Sequence, residues 1–221
     1  MKTILGKNVF MTLEEIISPG HTALIIVDAQ NDFCSSGGCI DRLSPPARGI
    51  MESYMEHSAP LLDAARKAGV MIIYTQATNH ESGIYKSGPD LRRKIEYLDP
   101  ENPLICIDGT WGHDIVNDLK PLPREIVIKK HRHNSFAGTE LDMILRSHRI
   151  ESLIITGVTT ERCVLATIVG AIAHDYYVVV PVDCVAAPKR EVHDAALLVI
   201  AGNLCEEGVV DSGAIIDAWK R

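Results

Sequence analysis

The sequence predicts an α/β protein built on one parallel sheet with helices packed against both faces. Three observations carry this prediction. Short apolar runs of strand length recur along the chain, bounded by glycine, proline or polar residues. Segments of helical periodicity separate them. The alternation continues through six strands with no internal repeat or low-complexity linker, and right-handed crossovers between parallel strands place helices on both faces.

In order, residues 22–28 read as a buried first strand ending in the carboxylate of Asp28. A polar, glycine-bearing loop follows from Gln30 through Ser44-Pro45-Pro46. Helical periodicity runs from about Gly49 to Ala68 and stops at Gly69. Residues 70–74 are the second strand. The stretch 76–112, with prolines at 89, 100 and 103, reads as irregular; a segment of that length without structure marks a lid or pocket wall. A short helix near 113–119 precedes the third strand, 125–129. A helix over 139–148 leads to the fourth strand, 153–155, which Gly157 ends. Helix 161–174, strand 176–182, helix 189–202, strand 208–210 and a C-terminal helix complete the pattern.

At 221 residues the chain fits one domain spanning 1–221, and 46% hydrophobic content is ample for its core. A formal net charge of −7 without a long basic run excludes nucleic acid as an expected partner. No window has the length of a membrane span, and Glu14-Glu15 interrupt the N-terminus where a signal peptide would be apolar, so no membrane partner is expected. The six cysteines have neither disulfide-rich density nor paired zinc-type spacing. A reducing cytoplasm is the expected location.

In parallel sheets of this kind, ligands bind beyond the carboxyl ends of the strands. Asp28, Lys129-Lys130 and Cys163 all fall at such ends. Thr159-Thr160 supply hydroxyls suited to capping a helix, which would put Cys163 in its first turn. A helix N-terminus favours a thiolate and offers N–H groups to an oxyanion. Taken alone, a cysteine in an apolar helix is more simply a small core residue; a strand-end aspartate is often a cap or salt-bridge partner, and a strand-end lysine an ordinary solvated charge. The three together form a nucleophilic site, in which the acid takes the thiol proton and the ammonium steadies the sulfur.

Three motifs extend the argument: Leu24-Ile25-Ile26-Val27-Asp28-Ala29-Gln30-Asn31-Asp32-Phe33; Ile126 to Phe136 followed by Gly138-Thr139-Glu140-Leu141; and Gly157-Val158-Thr159-Thr160-Glu161-Arg162-Cys163-Val164. With these the chain resembles the isochorismatase-like cysteine hydrolases, over residues from about 21 to about 213. The resemblance implies a Rossmann-like three-layer α/β/α fold on a six-stranded sheet of order 3-2-1-4-5-6. It implies a catalytic triad of Asp28, Lys130 and Cys163, selecting Lys130 over Lys129, with Thr159 and Cys163 N–H groups as the oxyanion hole. It also implies a cis peptide at Val158–Thr159. In that order the third strand lies about 10 Å from the first at ordinary strand spacing, so Lys130 has to reach back across the second.

Within the family the chain is most similar to amidohydrolases of ureidoacrylate, N-carbamoylsarcosine and biuret, through the Gly37-Gly38 loop, the Gly109-Thr110-Trp111 turn and residues 139–146. This implies hydrolysis of a small carbamoyl, ureido or primary carboxamide compound, releasing ammonia through a thioester. Phe33, Trp111 and Phe136 are expected as flat walls. Gln76, Asn79, His131 and His133 are expected as polar contacts, with Arg162 or Arg132 meeting a substrate carboxylate. Two features depart from the family: His133-Asn134 stands where an aromatic and a small residue are common, and residues 76–81 lack the Asp-x-His element of the family's metal-binding nicotinamidases. No metal and no cofactor is therefore expected. Alternatives are a metal-dependent nicotinamidase-like amidase and a non-hydrolytic thiol redox sensor on the same scaffold; true isochorismatases, which cleave a vinyl ether, lack the nucleophilic cysteine. Family members commonly assemble, so a homo-oligomer, dimer or tetramer, is expected.

Overall fold

The computed structural model describes residues 1–43 and 47–220. An exposed hairpin opens the chain, β1 (Lys2–Ile4) and β2 (Lys7–Val9), turned through Leu5 and Gly6 at positive φ. Helix α1 (Leu13–Ile16) follows, capped by the Thr12 hydroxyl, which accepts from the Glu15 N–H. The succeeding elements are β3 (Thr22–Val27), α2 (Asn31–Cys34), α3 (Cys39–Leu43), α4 (Ala47–Ala68), β4 (Met71–Ala77), α5 (Gly88–Lys94), β5 (Ile126–Lys130), α6 (Leu141–Ser147) and β6 (Ser152–Val158). A π-helical turn, Thr160–Val164, then runs directly into α7 (Leu165–Ala173). The chain closes with β7 (Tyr177–Pro181), β8 (Val185–Ala186), α8 (Arg190–Ala201), β9 (Val209–Val210) and α9 (Ser212–Trp219).

The main sheet has seven strands, all paired in parallel, along the path β5-β4-β3-β6-β7-β9. That path is the expected 3-2-1-4-5-6 order. The seventh strand is β8, two residues that pair with the end of β6; a run so short carries too little periodicity to be read in advance. Alternation on the strands divides the core in two. Leu24, Ile26, Tyr74 and Ile154 pack with Leu61, Leu62 and Ala65 of α4 and Ile215 of α9. Ile25, Ile73, Ile128 and Ile155 pack on the opposite face with Leu141 and Leu145 of α6 and Ile168 of α7. Every residue of β3 is buried, as a central strand covered on both faces requires.

Three local readings change. The helix expected near 113–119 is only a 3-10 turn, Asn117–Leu119. The carbonyls upstream are occupied elsewhere: Gly112 and Asp114 accept from the N–H groups of Asp32 and Asn31, and His113 accepts from the amides of Gln30 and Gln76. The stretch 76–112 is not wholly irregular, because it contains α5, capped by Ser87 with Pro89 in its first turn. Finally, neither Thr159 nor Thr160 caps a helix; Thr160 instead makes a 2.9 Å hydrogen bond with His193. The Ser44-Pro45-Pro46 end of the expected loop lies outside the described residues. Among those described, no helix is long and apolar enough to cross a membrane, and all six cysteines are free. Val169, Ile172, Leu198 and Val199 on α7 and α8 stay exposed, the kind of surface that the expected assembly would need.

Gly157 fixes how closely β6 approaches β3. It pairs with Val27 and sits at φ +116, and a Cβ there would lie 2.0 Å from the Val27 carbonyl oxygen. The obstacle is backbone in the middle of the sheet and cannot swing aside. Gly157→Ala is therefore expected to lower unfolding stability by at least about 3 kcal/mol, the upper end for overpacking. Gly213→Ala, in α9 with open space around its Cα, should be neutral or stabilising by up to about 1 kcal/mol. Urea unfolding of the two variants measures the contrast, and equal midpoints would contradict it.

Candidate active site

The ends of β4 and β5 and the turn after β6 border a cavity of about 520 Å³, and Asp28 lies behind that lining. Asp28 lies one residue beyond β3, wholly buried, at φ +53, a backbone region that aspartate tolerates better than most residues. Its N–H donates to the Thr75 carbonyl at 3.0 Å, which holds the turn against β4. On β5, alternation separates the two lysines. Lys129 points outward to Asp108, 2.6 Å away, while Lys130 is 1% exposed.

Lys130 crosses the end of β4 and brings Nζ to 2.8 Å from Asp28 Oδ2. Its ammonium also donates to the carbonyls of Arg132 and His133, at 3.0 and 3.2 Å. One ion pair and two hydrogen bonds thus surround the ammonium, the kind of compensation a buried charge needs. Burial pulls the ammonium down, but Asp28 and Cys163 outweigh it and leave its pKa above the ordinary lysine value.

Asp28 Oδ1 accepts from the Thr75 hydroxyl at 3.4 Å, Ser135 donates to Thr75 at 3.4 Å, and Ser135 and Thr167 share a 2.9 Å bond. This buried hydroxyl chain is absent from the sequence reading. Its one legible sign is Thr75 itself, a hydroxyl inside an apolar strand.

Cys163 stands in the π-helical turn and lines the cavity together with Thr159, beyond the cis peptide Val158–Thr159. Burial pushes its pKa up to about 12; Lys130 opposes the rise and Asp28 adds to it. The helix-terminus argument predicts the reverse. The residue is 6% exposed, and loss of water outweighs the local dipoles and favours the thiol. His133 Nδ1 lies 3.2 Å from Sγ. Lost hydration, then the Lys130 and Arg162 charges, hold the His133 pKa down to about 4, which keeps the imidazole neutral beside the thiol.

Of the other expected site residues, Phe33, Asn79, His131, Arg132, His133 and Arg162 border the cavity. Three do not. Gln76 shares the parity of Lys129 on the sheet, and its amide donates to the His113 carbonyl. Trp111 is 54% exposed and contributes its carbonyl, which accepts from the Asn31 amide. Phe136 turns into the core below, stacked on His174 with ring centroids 4.7 Å apart. Among the described residues no three His, Cys, Asp or Glu side chains are grouped to hold a metal. His131 Nδ1 is bonded to the Thr78 carbonyl and His133 Nδ1 to Cys163.

The far wall comes from α5 and its flanks: Lys86, Asp90, Arg93, Lys94 and Tyr97. This excursion leaves and re-enters the body at one place. Asn79 N–H donates to the Cys106 carbonyl, Asp108 N–H donates to the Asn79 carbonyl, and the Asn79 amide donates to the Ile105 carbonyl. Asp32 adds a second tie by accepting from the N–H groups of Cys39 and Cys106, at 3.2 and 2.7 Å. The charge run Arg92-Arg93-Lys94 after a capping serine was the available signal for this wall.

Comparison with known proteins agrees with these motifs. The isochorismatase domain matches residues 22–210. The ureidoacrylate amidohydrolase RutB of Rhizobium rhizogenes is 30% identical over 73% of this chain and 68% of its own length. An isochorismatase family protein from Desulfovibrio vulgaris superposes with a TM-score of 0.75 at 30% identity, covering 91% of this chain and 99% of the other. N-carbamoylsarcosine amidase from Thermoplasma acidophilum superposes with a TM-score of 0.67 at 25% identity, over 86% and 96%. With most of its length matched by the domain and its parallel sheet shared with these structures, the chain belongs to the isochorismatase family.

Proposed function

We propose that the protein is a cysteine-dependent amidohydrolase acting on a small carbamoyl, ureido or primary carboxamide compound. The observation that supports this most directly is the Cys163 thiol, set at the cavity floor within the field of the buried Asp28–Lys130 pair. Asp28 takes the thiol proton as Sγ bonds to the substrate carbonyl carbon. The N–H groups of Thr159 and Cys163 receive the oxyanion. When the C–N bond breaks, the proton passes from Asp28 to the leaving nitrogen, and ammonia departs. What stays on sulfur is a thioester, or a thiocarbamate from a ureido substrate. Asp28 then takes a proton from water, the hydroxyl adds to the acyl carbon, and the C–S bond breaks as the sulfur regains its proton. Lys130 keeps its charge throughout and stabilises each state in which sulfur is negative.

The similarity to ureidoacrylate amidohydrolase and N-carbamoylsarcosine amidase supports the choice of substrate class. A redox sensor fits the site less well, because peroxide reacts with an accessible, readily ionised sulfur, and here burial pushes the thiol in the opposite direction.

Cys163→Ala is expected to abolish ammonia release, by at least about 10³-fold, while leaving the fold intact. Asp28→Asn should slow acylation by about 10²–10⁴-fold. Ammonia detection over a panel of ureido acids and amides checks both, and near-normal turnover by either variant would defeat the mechanism. Lys130→Met strands the Asp28 charge in the interior and should cost about 3–5 kcal/mol of stability, whereas Lys129→Met, which breaks an exposed pair, should cost no more than about 1 kcal/mol; chemical unfolding separates the two. The raised thiol also sets the alkylation profile. Iodoacetamide labelling of Cys163 in the free protein should climb with pH beyond 10, and a plateau below pH 8 would instead reveal a thiolate.

A further inference from the structure

The cavity holds more positive charge than the proposed chemistry uses, in a chain whose net charge is −7. Most of these cations already have partners. Lys130 is held by Asp28. Arg132 donates to the carbonyls of Tyr85 and His131. Arg162 lies over the Tyr97 ring at 4.1 Å, with Glu161 at 3.5 Å. Lys86 and Arg93 share the single carboxylate of Asp90, at 3.1 and 3.4 Å.

Lys189, at the rim, is exposed to solvent. Lys94 is the buried exception. It is only 8% exposed and borders the same cavity, yet among the described residues its ammonium has no carboxylate within 4 Å and donates no hydrogen bond. An unpaired buried ammonium is costly. Loss of water and the neighbouring Lys86 charge hold its pKa down to about 8, so it remains charged at neutral pH and would gain from an anion beside it. Lys86, whose side chain is 5% exposed, is the second cation of the pair.

We propose that Lys94, with Lys86, forms the subsite for a substrate carboxylate, so that the amide offered to Cys163 belongs to a small anionic molecule. Asp90 in the same cluster opposes a dianion, which favours a carboxylate over a phosphate. The inference rests on the hydrolase reading only for the identity of the other end of the substrate; the anion subsite stands on Lys94 and the cavity.

The test compares N-carbamoylglycine and 3-ureidopropionate with their methyl esters. Ammonia release is measured for the wild type and Lys94→Met, and binding by calorimetry on Cys163→Ala with and without Lys94→Met. The wild type should prefer the acids. Lys94→Met should raise KM for the acids about 10- to 100-fold, the range for losing a charge-assisted hydrogen bond, with the esters unaffected. Its Tm should be unchanged or higher, because no ion pair is broken. Esters turned over as well as acids, equal losses on both, or a lowered Tm would overturn the proposal. If nothing is hydrolysed, the hydrolase reading fails by itself. Calorimetry then decides the subsite: acid binding lost with Lys94→Met sustains it, and absent or unchanged binding removes it.

Discussion

The structure depends on one buried ion pair. Asp28 and Lys130 meet at 2.8 Å with essentially no exposure, although their strands are separated by β4. The pair exists only because β5, β4 and β3 keep a register in which Lys130 stands beside Ala77 and Thr75 beside Val27. A slip of one residue would turn Lys130 outward and Lys129 inward. The carbonyls of Arg132 and His133 and the hydroxyl of Thr75 complete the coordination. Without them the desolvation of two charges would exceed their attraction. Register, the loop after β5 and the hydroxyl chain behind the aspartate are thus one device.

The same pair sets the electrostatic surroundings of Cys163: Lys130 lowers its pKa and Asp28 raises it, with burial the larger effect. A free thiolate in so dry a site would need more compensation than one ammonium already shared with a carboxylate. Burial raises the thiol pKa, so under the proposed mechanism negative charge would appear on sulfur only as its proton passes to Asp28. His133, neutral at 3.2 Å from Sγ, adds no competing charge.

The long apolar strands and their order were legible in the sequence because burial on both faces leaves continuous runs of Val, Ile and Leu. That Asp28, Lys130 and Cys163 lie toward one end of the sheet was legible because Asp28 and Lys130 close such runs and Cys163 follows the turn after another. What escaped is what depends on tertiary competition for hydrogen bonds. The carbonyls of 112–114 serve the loop at Asn31 and Asp32 rather than a helix, and the threonines before Cys163 turn to His193 and the cavity. Trp111 and Phe136 were expected at the substrate because aromatic residues suit planar groups, but sequence does not reveal which side of a loop they face. Lys94 was hidden inside a stretch read as irregular, although Ser87 and Pro89 marked the helix that carries it.

The wall that carries Lys94 is joined to the rest of the molecule at a narrow neck, where Asn79 is bonded to residues 105–108, with Asp32 gripping Cys106 from the other side. Lengthening the chain between the two edges of that neck costs little in closure entropy, since closing a longer loop between fixed ends grows only logarithmically costlier. The far wall of the cavity can therefore vary in length while the neck that anchors it keeps its bonds.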